Sequence, residues 1–109
     1  MKKVFFILML ICLFGCESKK EEYKELMENN EYIIVDVRTK EEYDEGHIKE
    51  AINIPVDEIN ENINLDKDKL IFVYCKSGVR SKNAYNLLKT YGYNVYDLGA
   101  YSKIKLAKE

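Results

Sequence analysis

The strongest constraint on the fold is an apolar run at residues 70–74 that ends directly at a cysteine, Cys75. The run is continuous and rich in β-forming residues, which is typical of a strand buried on both faces of a sheet. A short polar loop containing Gly78 follows, and the pattern then changes to helical spacing. The apolar face of that helix consists of Ala84, Leu87, Leu88 and Tyr91. Lys89 and Gly92 predict its end. The sequence therefore predicts a strand, a loop that begins at a thiol, and a helix.

Short apolar strands alternate with short helical segments along the rest of the chain. Further strands are predicted at residues 32–35, 51–54 and 94–98, and short helices at residues 21–28 and 57–62. Another helix is predicted by a capping box, with Thr39 as cap and Glu42 at the third helical position, and it should stop at Gly46. This alternation predicts an α/β fold with a doubly wound, mostly parallel sheet and helices on both faces. Functional residues of such sheets gather at the carboxyl ends of the strands, where Cys75 lies.

The first residues have the pattern of an export signal. Lys2 and Lys3 precede an apolar run at residues 4–14, which is shorter than the roughly 20 residues that cross a bilayer. Residues 13–16 resemble the lipobox of bacterial lipoproteins, which implies lipidation of Cys16; an ordinary signal peptide with a chance cysteine is the alternative. We expect a cleaved signal peptide at residues 1–15, a lipidated cysteine and tether at residues 16–22, and one domain at residues 23–109.

Export and lipidation would place the domain outside the cytoplasm, held at the cell membrane by acyl chains. The anchored domain would face the periplasm, or sit on the outer membrane, where the host has one. Loss of Lys2 and Lys3 from the 17 basic residues leaves 15 against 19 acidic residues, a net charge of −4. With no basic patch, the sequence gives no indication of nucleic-acid binding. Cys75 would then be the single free thiol, either buried and inert or kept for chemistry.

The segment from Cys75 to Arg80 has the features of an anion-binding loop. Backbone N–H groups of a strand-to-helix turn and the positive end of the helix can surround the side chain of the first loop residue. A thiolate is stabilised there, and Lys76 and Arg80 add positive charge. The residues expected to bind the substrate are Lys76, Ser77, Gly78, Val79 and Arg80. A small anionic sulfur donor such as thiosulfate could pass its terminal sulfur to Cys75, and a thiol, a protein or cyanide could accept it. This chemistry requires a thiol that solvent can reach, but no metal or cofactor. The alternative interpretation is that Cys75 is only a small apolar residue at the end of a strand.

Two groups of motifs carry a resemblance to a known family. The first comprises residues 34–38, 42–43, 46–48 and 51–55, and the second is the loop at residues 75–81. In this order and at this separation they resemble the single-domain rhodanese family, the thiosulfate sulfurtransferase-like proteins, over residues 21–101. The resemblance implies a five-stranded parallel sheet and persulfide chemistry at Cys75. A persulfide carrier with little turnover is a second hypothesis. A cysteine-dependent phosphatase or arsenate reductase is a third, disfavoured because only four residues separate Cys75 from Arg80.

Other polar residues near the predicted site have two interpretations each. Asp36, Arg38 and Ser81 could orient the loop by hydrogen bonding, although an internal ion pair or a helix cap explains Asp36 and Arg38 equally well. His47, the only histidine, is interpreted as a packed turn residue, and a metal site built on it is not expected. The sequence also departs from the family pattern: Glu50 replaces a usual glycine, residues 99–101 replace paired glycines, and the tryptophan expected after them is absent.

Overall fold

The computed structural model describes residues 18–109. The chain divides into two units, and the boundary in the sequence lies between Asn30 and Glu31. The first unit contains helix α1, Ser18–Asn29, which begins earlier than the sequence predicts. The side chain of Asn30 donates a hydrogen bond to the carbonyl of Leu26 at 3.0 Å and so satisfies one of the last carbonyls of the helix. The predicted signal peptide and Cys16 lie outside the described residues.

The second unit is built on a parallel sheet. Its strands are β1 (Tyr32–Asp36), β2 (Ile52–Asn53), β3 (Leu70–Cys75) and β4 (Val95–Ala100). They lie in the order β2-β1-β3-β4, and all neighbouring pairs are parallel. The predicted α/β fold with a parallel sheet is confirmed; residues 18–109 supply four of the five strands that the resemblance implies. Pro55 has no N–H to continue the ladder, which keeps β2 short.

Short helices connect the strands. They are α2 (Lys40–Glu45), α3 (Val79–Thr90) and two 3₁₀ helices, Val56–Glu58 and Tyr101–Lys103. The predicted capping box on α2 is present, with both reciprocal hydrogen bonds between Thr39 and Glu42. The prediction of a helix at residues 57–62 is wrong. The helix does not form because the side chain of Asn60 accepts a hydrogen bond from the Asn62 N–H at 2.8 Å. Such a local bond competes with helical pairing, and only the 3₁₀ turn forms.

Side chains of β3 alternate between the two faces of the sheet. Ile71, Val73 and Cys75 are all fully buried in one cluster, together with Ala84 and Leu88 of α3. This cluster is the main core, and the cysteine is one of its members. The predicted apolar face of α3 is confirmed, since Leu87 and Tyr91 pack against the same cluster.

The opposite face of the sheet contains a buried polar network around Tyr74. The Tyr74 hydroxyl donates to Asp36 Oδ2 at 2.7 Å and accepts the Ile48 N–H at 3.0 Å. Arg38 Nη2 binds Asp36 Oδ2 at 2.6 Å and donates to the Gly46 carbonyl at 2.7 Å. Burial raises the pKa of Tyr74, so its hydroxyl keeps the proton that it donates. The network joins β1, β3 and the turn after α2.

The carboxyl-terminal residues return to that turn. His47 and Glu109 exchange two backbone hydrogen bonds of 2.9 and 2.8 Å, and Lys49 donates to the Ala107 carbonyl at 2.8 Å. The His47 ring stacks on Tyr43 with ring centres 4.0 Å apart. These contacts agree with the interpretation of His47 as a packed turn residue.

Strand β4 contains an irregularity beside the end of β3. Val73 pairs with Asp97, but Tyr74 pairs with Gly99, so Leu98 is an extra residue in β4. Gly99 has a positive φ of 81°. Ala100, within the segment that departs from the paired glycines of the family that the sequence resembles, causes no strain because its backbone is extended, with φ −82° and ψ 130°.

No helix in residues 18–109 is both long and apolar enough to cross a membrane.

We expect Tyr74→Phe to lower the free energy of unfolding by about 1–3 kcal/mol, because the buried Ile48 N–H and Asp36 Oδ2 each lose a partner. Urea denaturation measures the change. Tyr85→Phe is the matched control, since the Tyr85 hydroxyl forms no hydrogen bond with the described residues. Equal effects of the two substitutions would contradict the importance of the network.

We expect Glu50→Gly to stabilise the domain. Glu50 has a φ of 73°, a conformation that costs a residue with a Cβ about 1–2 kcal/mol, partly offset by the roughly 0.4–1 kcal/mol entropy cost of glycine. The net gain is up to about 1 kcal/mol in urea denaturation. Glu50→Ala keeps the strain and also loses the 3.5 Å contact with the Tyr32 hydroxyl, so it should give no gain.

Candidate active site

The predicted reactive cysteine ends β3, and the loop after it leads directly into α3. Lys76 and Ser77 are exposed to solvent, and Gly78 is the residue at which the chain turns into the helix. Gly78 has a φ of 101°, in the left-handed region that favours glycine. A Cβ there would meet nothing closer than the Gly99 Cα at 4.0 Å, so the backbone conformation and not space makes glycine the suitable residue.

The sulfur of Cys75 accepts two backbone hydrogen bonds. The Gly78 N–H lies 2.9 Å from Sγ, and the Ser81 N–H lies 3.3 Å from it. Ser81 is the third residue of α3, whose cap residue Gly78 has no capping side chain. The sulfur therefore takes the place of a helix-capping oxygen. Ser81, fully buried, also donates its hydroxyl to the Gly78 carbonyl at 3.1 Å, so the loop-orienting contact predicted for Ser81 is present.

The thiol is less accessible than the sequence analysis expects. Cys75 is 0 % exposed and packs in the core cluster. The burial matches a structural cysteine, whereas the two N–H donors match an anion cradle. Both features belong to the same atom, and a donor in solution can reach the sulfur only when residues around it move.

Arg80, which we expected to contact the substrate, is held by a carboxylate. Its Nη1 and Nη2 atoms lie 2.7 and 3.1 Å from the two carboxylate oxygens of Glu42. The hydrogen bond from Arg80 is the main cause that lowers the pKa of Glu42 to about 2, and the same bond raises the pKa of Arg80. The negative charge of a Cys75 thiolate contributes to the rise for Arg80. The two terminal nitrogens of the Arg80 guanidinium are therefore bound to Glu42, and the structure shows no hydrogen bond from Arg80 to the sulfur.

Sequence reasoning assigned Glu42 only to the capping box and missed its bond to Arg80. No local pattern reveals a contact between residues 38 positions apart. The one available signal was the arrangement of two strand ends at the same edge of a parallel sheet, which brings the following loops together.

The remaining predicted loop residues face outward. Val79 is 74 % exposed. Lys76 lines a cavity of about 390 Å³, together with Arg38, Glu42, Glu45, Gly46, Tyr101 and Ser102. This cavity and the loop share Lys76, so the cavity lies beside the loop.

Asp36 and Arg38 form the internal ion pair that the sequence analysis left open. The structure shows no hydrogen bond from either side chain to residues 75–81. The Arg38 guanidinium carbon lies 4.5 Å from the centre of the Tyr101 ring and 5.5 Å from that of Tyr74. The pair therefore shapes the wall of the cavity and does not touch the loop. Among residues 18–109, no three His, Cys, Asp or Glu side chains are arranged to hold a metal ion.

Comparison with known proteins gives consistent matches. The family model for the rhodanese-like domain matches residues 19–107. The chain is 37% identical over 78 residues to "Thiosulfate sulfurtransferase PspE" of Escherichia coli (strain K12), covering 68% of this chain and 75% of that protein. It is 34% identical over 79 residues to "Putative sulfur carrier protein YrkF" of Bacillus subtilis (strain 168), covering 71% of this chain and 43% of the relative.

Longer relatives share only this part of their sequence. The chain is 40% identical over 79 residues to "Probable molybdopterin-synthase adenylyltransferase" of Porphyra purpurea, covering 69% of this chain but 21% of that protein. A solved structure, "rhodanese with anions from E. coli", is similar with a TM-score of 0.66 and 35% identity, over 72% of this chain and 96% of that one. From these matches and the strand–loop–helix geometry around Cys75, we conclude that the chain belongs to the rhodanese-like domain family.

Proposed function

We propose that this protein is a thiosulfate-type sulfurtransferase that carries sulfur as a persulfide on Cys75. The observation that carries the proposal is the pair of backbone N–H groups, from Gly78 and Ser81, on the sulfur at the start of α3. Such donors at a helix N-terminus favour a negatively charged sulfur, both before and after it accepts another sulfur atom. The sulfurtransferase PspE, of which this chain covers 75%, supports the same reaction class.

The reaction proceeds in two displacements. The Cys75 thiolate attacks the terminal sulfur of thiosulfate; a new S–S bond forms, the old one breaks, and sulfite leaves with the bonding electrons. An acceptor thiolate or cyanide then attacks the outer sulfur of the persulfide, which forms a new persulfide or thiocyanate and returns Cys75 as thiolate. Both steps balance without a further oxidant or reductant.

The burial of Cys75 adds a conformational requirement. A residue that is 0 % exposed cannot meet a donor in solution until its cover moves. The segment that we propose to move is the loop after Cys75, in which Lys76 and Ser77 are exposed and a glycine stands at the end. A slow opening of this loop would limit turnover.

That limit supports a second candidate function, a persulfide carrier. A carrier holds sulfur until a partner protein takes it, and burial protects the persulfide from other thiols. The similarity to the protein named as the sulfur carrier YrkF supports this class. The two functions share the persulfide and differ in turnover.

We further propose that the domain is exported and anchored through acyl chains on Cys16. The proposal rests on the basic start, the apolar run and the lipobox-like residues 13–16. Sulfur donor and acceptor would then meet the domain at the outer side of the cytoplasmic membrane, or in the periplasm of a host with two membranes.

We expect thiosulfate to add the mass of one sulfur atom to the full chain, as measured by intact mass spectrometry. Cys75→Ser should abolish the addition, because the oxygen of serine is not a sulfur nucleophile, whereas Cys16→Ser should leave it unchanged. Rapid formation of thiocyanate from cyanide identifies the enzyme, and a stable persulfide with negligible turnover identifies the carrier. Absence of sulfur uptake, with hydrolysis of an aryl phosphate, would contradict both.

We expect Cys16→Ser to move the domain from the membrane fraction to the soluble fraction of an expressing bacterium. Immunoblotting of the two fractions measures the change. Cys12→Ser is the matched control, since Cys12 lies within the predicted signal and should not affect the anchor. Unchanged membrane association of the Cys16→Ser protein is the outcome that removes the lipid-anchor proposal.

A further inference from the structure

The charge of the loop arginine is compensated within the protein. Arg80 and Glu42 are bound through two hydrogen bonds, and their side chains are 32% and 26% exposed. The geometry is bidentate, which is the strong form of an arginine–carboxylate pair. A substrate anion that used Arg80 would have to compete with a carboxylate that is already in place.

Glu42 is itself fixed by the capping box of α2. Its Oε1 atom accepts the Thr39 N–H at 3.0 Å and lies 3.2 Å from the Thr39 hydroxyl. Because the pKa of Glu42 is lowered from 4.5 to about 2, the carboxylate stays charged above pH 4.5 and loses the charge only as the pH falls through about 2. The compensation of Arg80 is therefore present at any pH at which the protein is expected to work.

The other charges around the loop also nearly cancel. Arg38 in the cavity wall is paired with Asp36 at 2.6 Å. Lys76 forms no ion pair with any residue that the structure describes, but Glu45, a carboxylate, lines the same cavity. A site with so little net positive charge attracts a dianion only weakly, because the Coulomb energy grows in proportion to the charge of the substrate.

We propose that Glu42 is a positioning residue that sets the substrate class of the site: by binding Arg80 it favours a neutral or singly charged hydropersulfide over the thiosulfate dianion as sulfur donor. This inference rests on the proposed persulfide chemistry at Cys75 and makes a hydropersulfide, with thiosulfate as the weaker alternative, the preferred donor. In the refined step the Cys75 thiolate attacks the outer sulfur of R–S–SH, the donor S–S bond breaks, and the thiolate R–S⁻ leaves. The persulfide on Cys75 keeps the proton that the outer sulfur carried.

The role of Glu42 can be measured without sulfur transfer, from the alkylation of Cys75 in the folded full chain. Iodoacetate carries a negative charge and iodoacetamide is neutral, so the ratio of their rates reports the electrostatic potential at the sulfur. Peptide mass spectrometry assigns the modification to Cys75. Glu42→Gln should raise the iodoacetate-to-iodoacetamide ratio about two- to fivefold, the effect of one unit charge several ångströms away in a water-like medium. The increase should shrink at high salt.

A substitution of Arg80 and a double substitution test the same pair of Glu42 and Arg80. Arg80→Met leaves Glu42 uncompensated and should lower the ratio. Glu42→Gln combined with Arg80→Met has the net charge of the wild type and should return the ratio close to the wild-type value. The opposite signs of the two single-variant changes exclude a folding defect, since a defect that exposes Cys75 would raise the rates of both reagents together.

Glu42 also belongs to the capping box of α2, and Thr39→Ala is the matched control for that role. It removes the side-chain cap of α2 but keeps the carboxylate, the Thr39 N–H and the pair with Arg80. A change in loop position alters the rates of both reagents together, so this variant should leave their ratio unchanged.

Glu42→Gln should, in addition, increase the rate of persulfide formation with thiosulfate relative to cysteine hydropersulfide.

Three outcomes overturn the inference. They are an unchanged alkylation ratio in Glu42→Gln, an equal change of both rates in that variant, and failure of both reagents to reach Cys75 in the wild type. If the wild type takes sulfur from neither donor, the proposed function fails, but the alkylation ratios still decide whether Glu42 controls the potential at the sulfur.

Discussion

Two hydrogen bonds from Gly78 and Ser81 to the sulfur of Cys75 connect the end of the central strand to the start of the longest helix in the sheet unit. The helix has no other side-chain cap, so the same atom that is proposed to react also satisfies the first turn of α3. Strand β3 supplies the core beneath the loop, and α3 covers it. Reactivity and stability are therefore coupled at one atom. An opening of the loop to admit a donor, as proposed, would cost the helix its cap for that time.

Charges in this domain are compensated in pairs, and the two pairs have different environments. Asp36 and Arg38 are almost fully buried, where an unpaired charge would be costly, so their pairing is a condition for folding. Glu42 and Arg80 are about a quarter to a third exposed, where pairing is optional for folding but decisive for the potential near the sulfur. The charges of Lys76 and Arg80 alone predict a cationic loop. In the structure, Arg80 is instead paired with Glu42 of a neighbouring helix.

Local patterns predicted the parts of the fold that depend on neighbouring residues. The capping box of Thr39 and Glu42, the buried strand before Cys75 and the apolar face of α3 follow from spacing alone. The helix expected at residues 57–62 failed because the side chain of Asn60 provides a competing turn. Contacts between distant residues could not be predicted from the sequence. Neither the hydrogen bonds of Tyr74 with Asp36 and Ile48 nor the bond between Arg80 and Glu42 has a local sequence pattern. Burial of the thiol also depends on how the loop folds over it, which spacing does not reveal.

The extra residue Leu98 in β4 limits the insertions and deletions that this domain can tolerate. Downstream of it, Gly99 and Ala100 lie beside Tyr74 and Cys75, and Tyr101 stacks on Tyr74 and Arg38. Deleting one residue from β4 would not simply shorten the strand. It would exchange the faces of every side chain that follows and remove Tyr101 from the arginine that it covers. Natural insertions and deletions should therefore be absent from residues 95–101 and be found in the polar loop between β2 and β3.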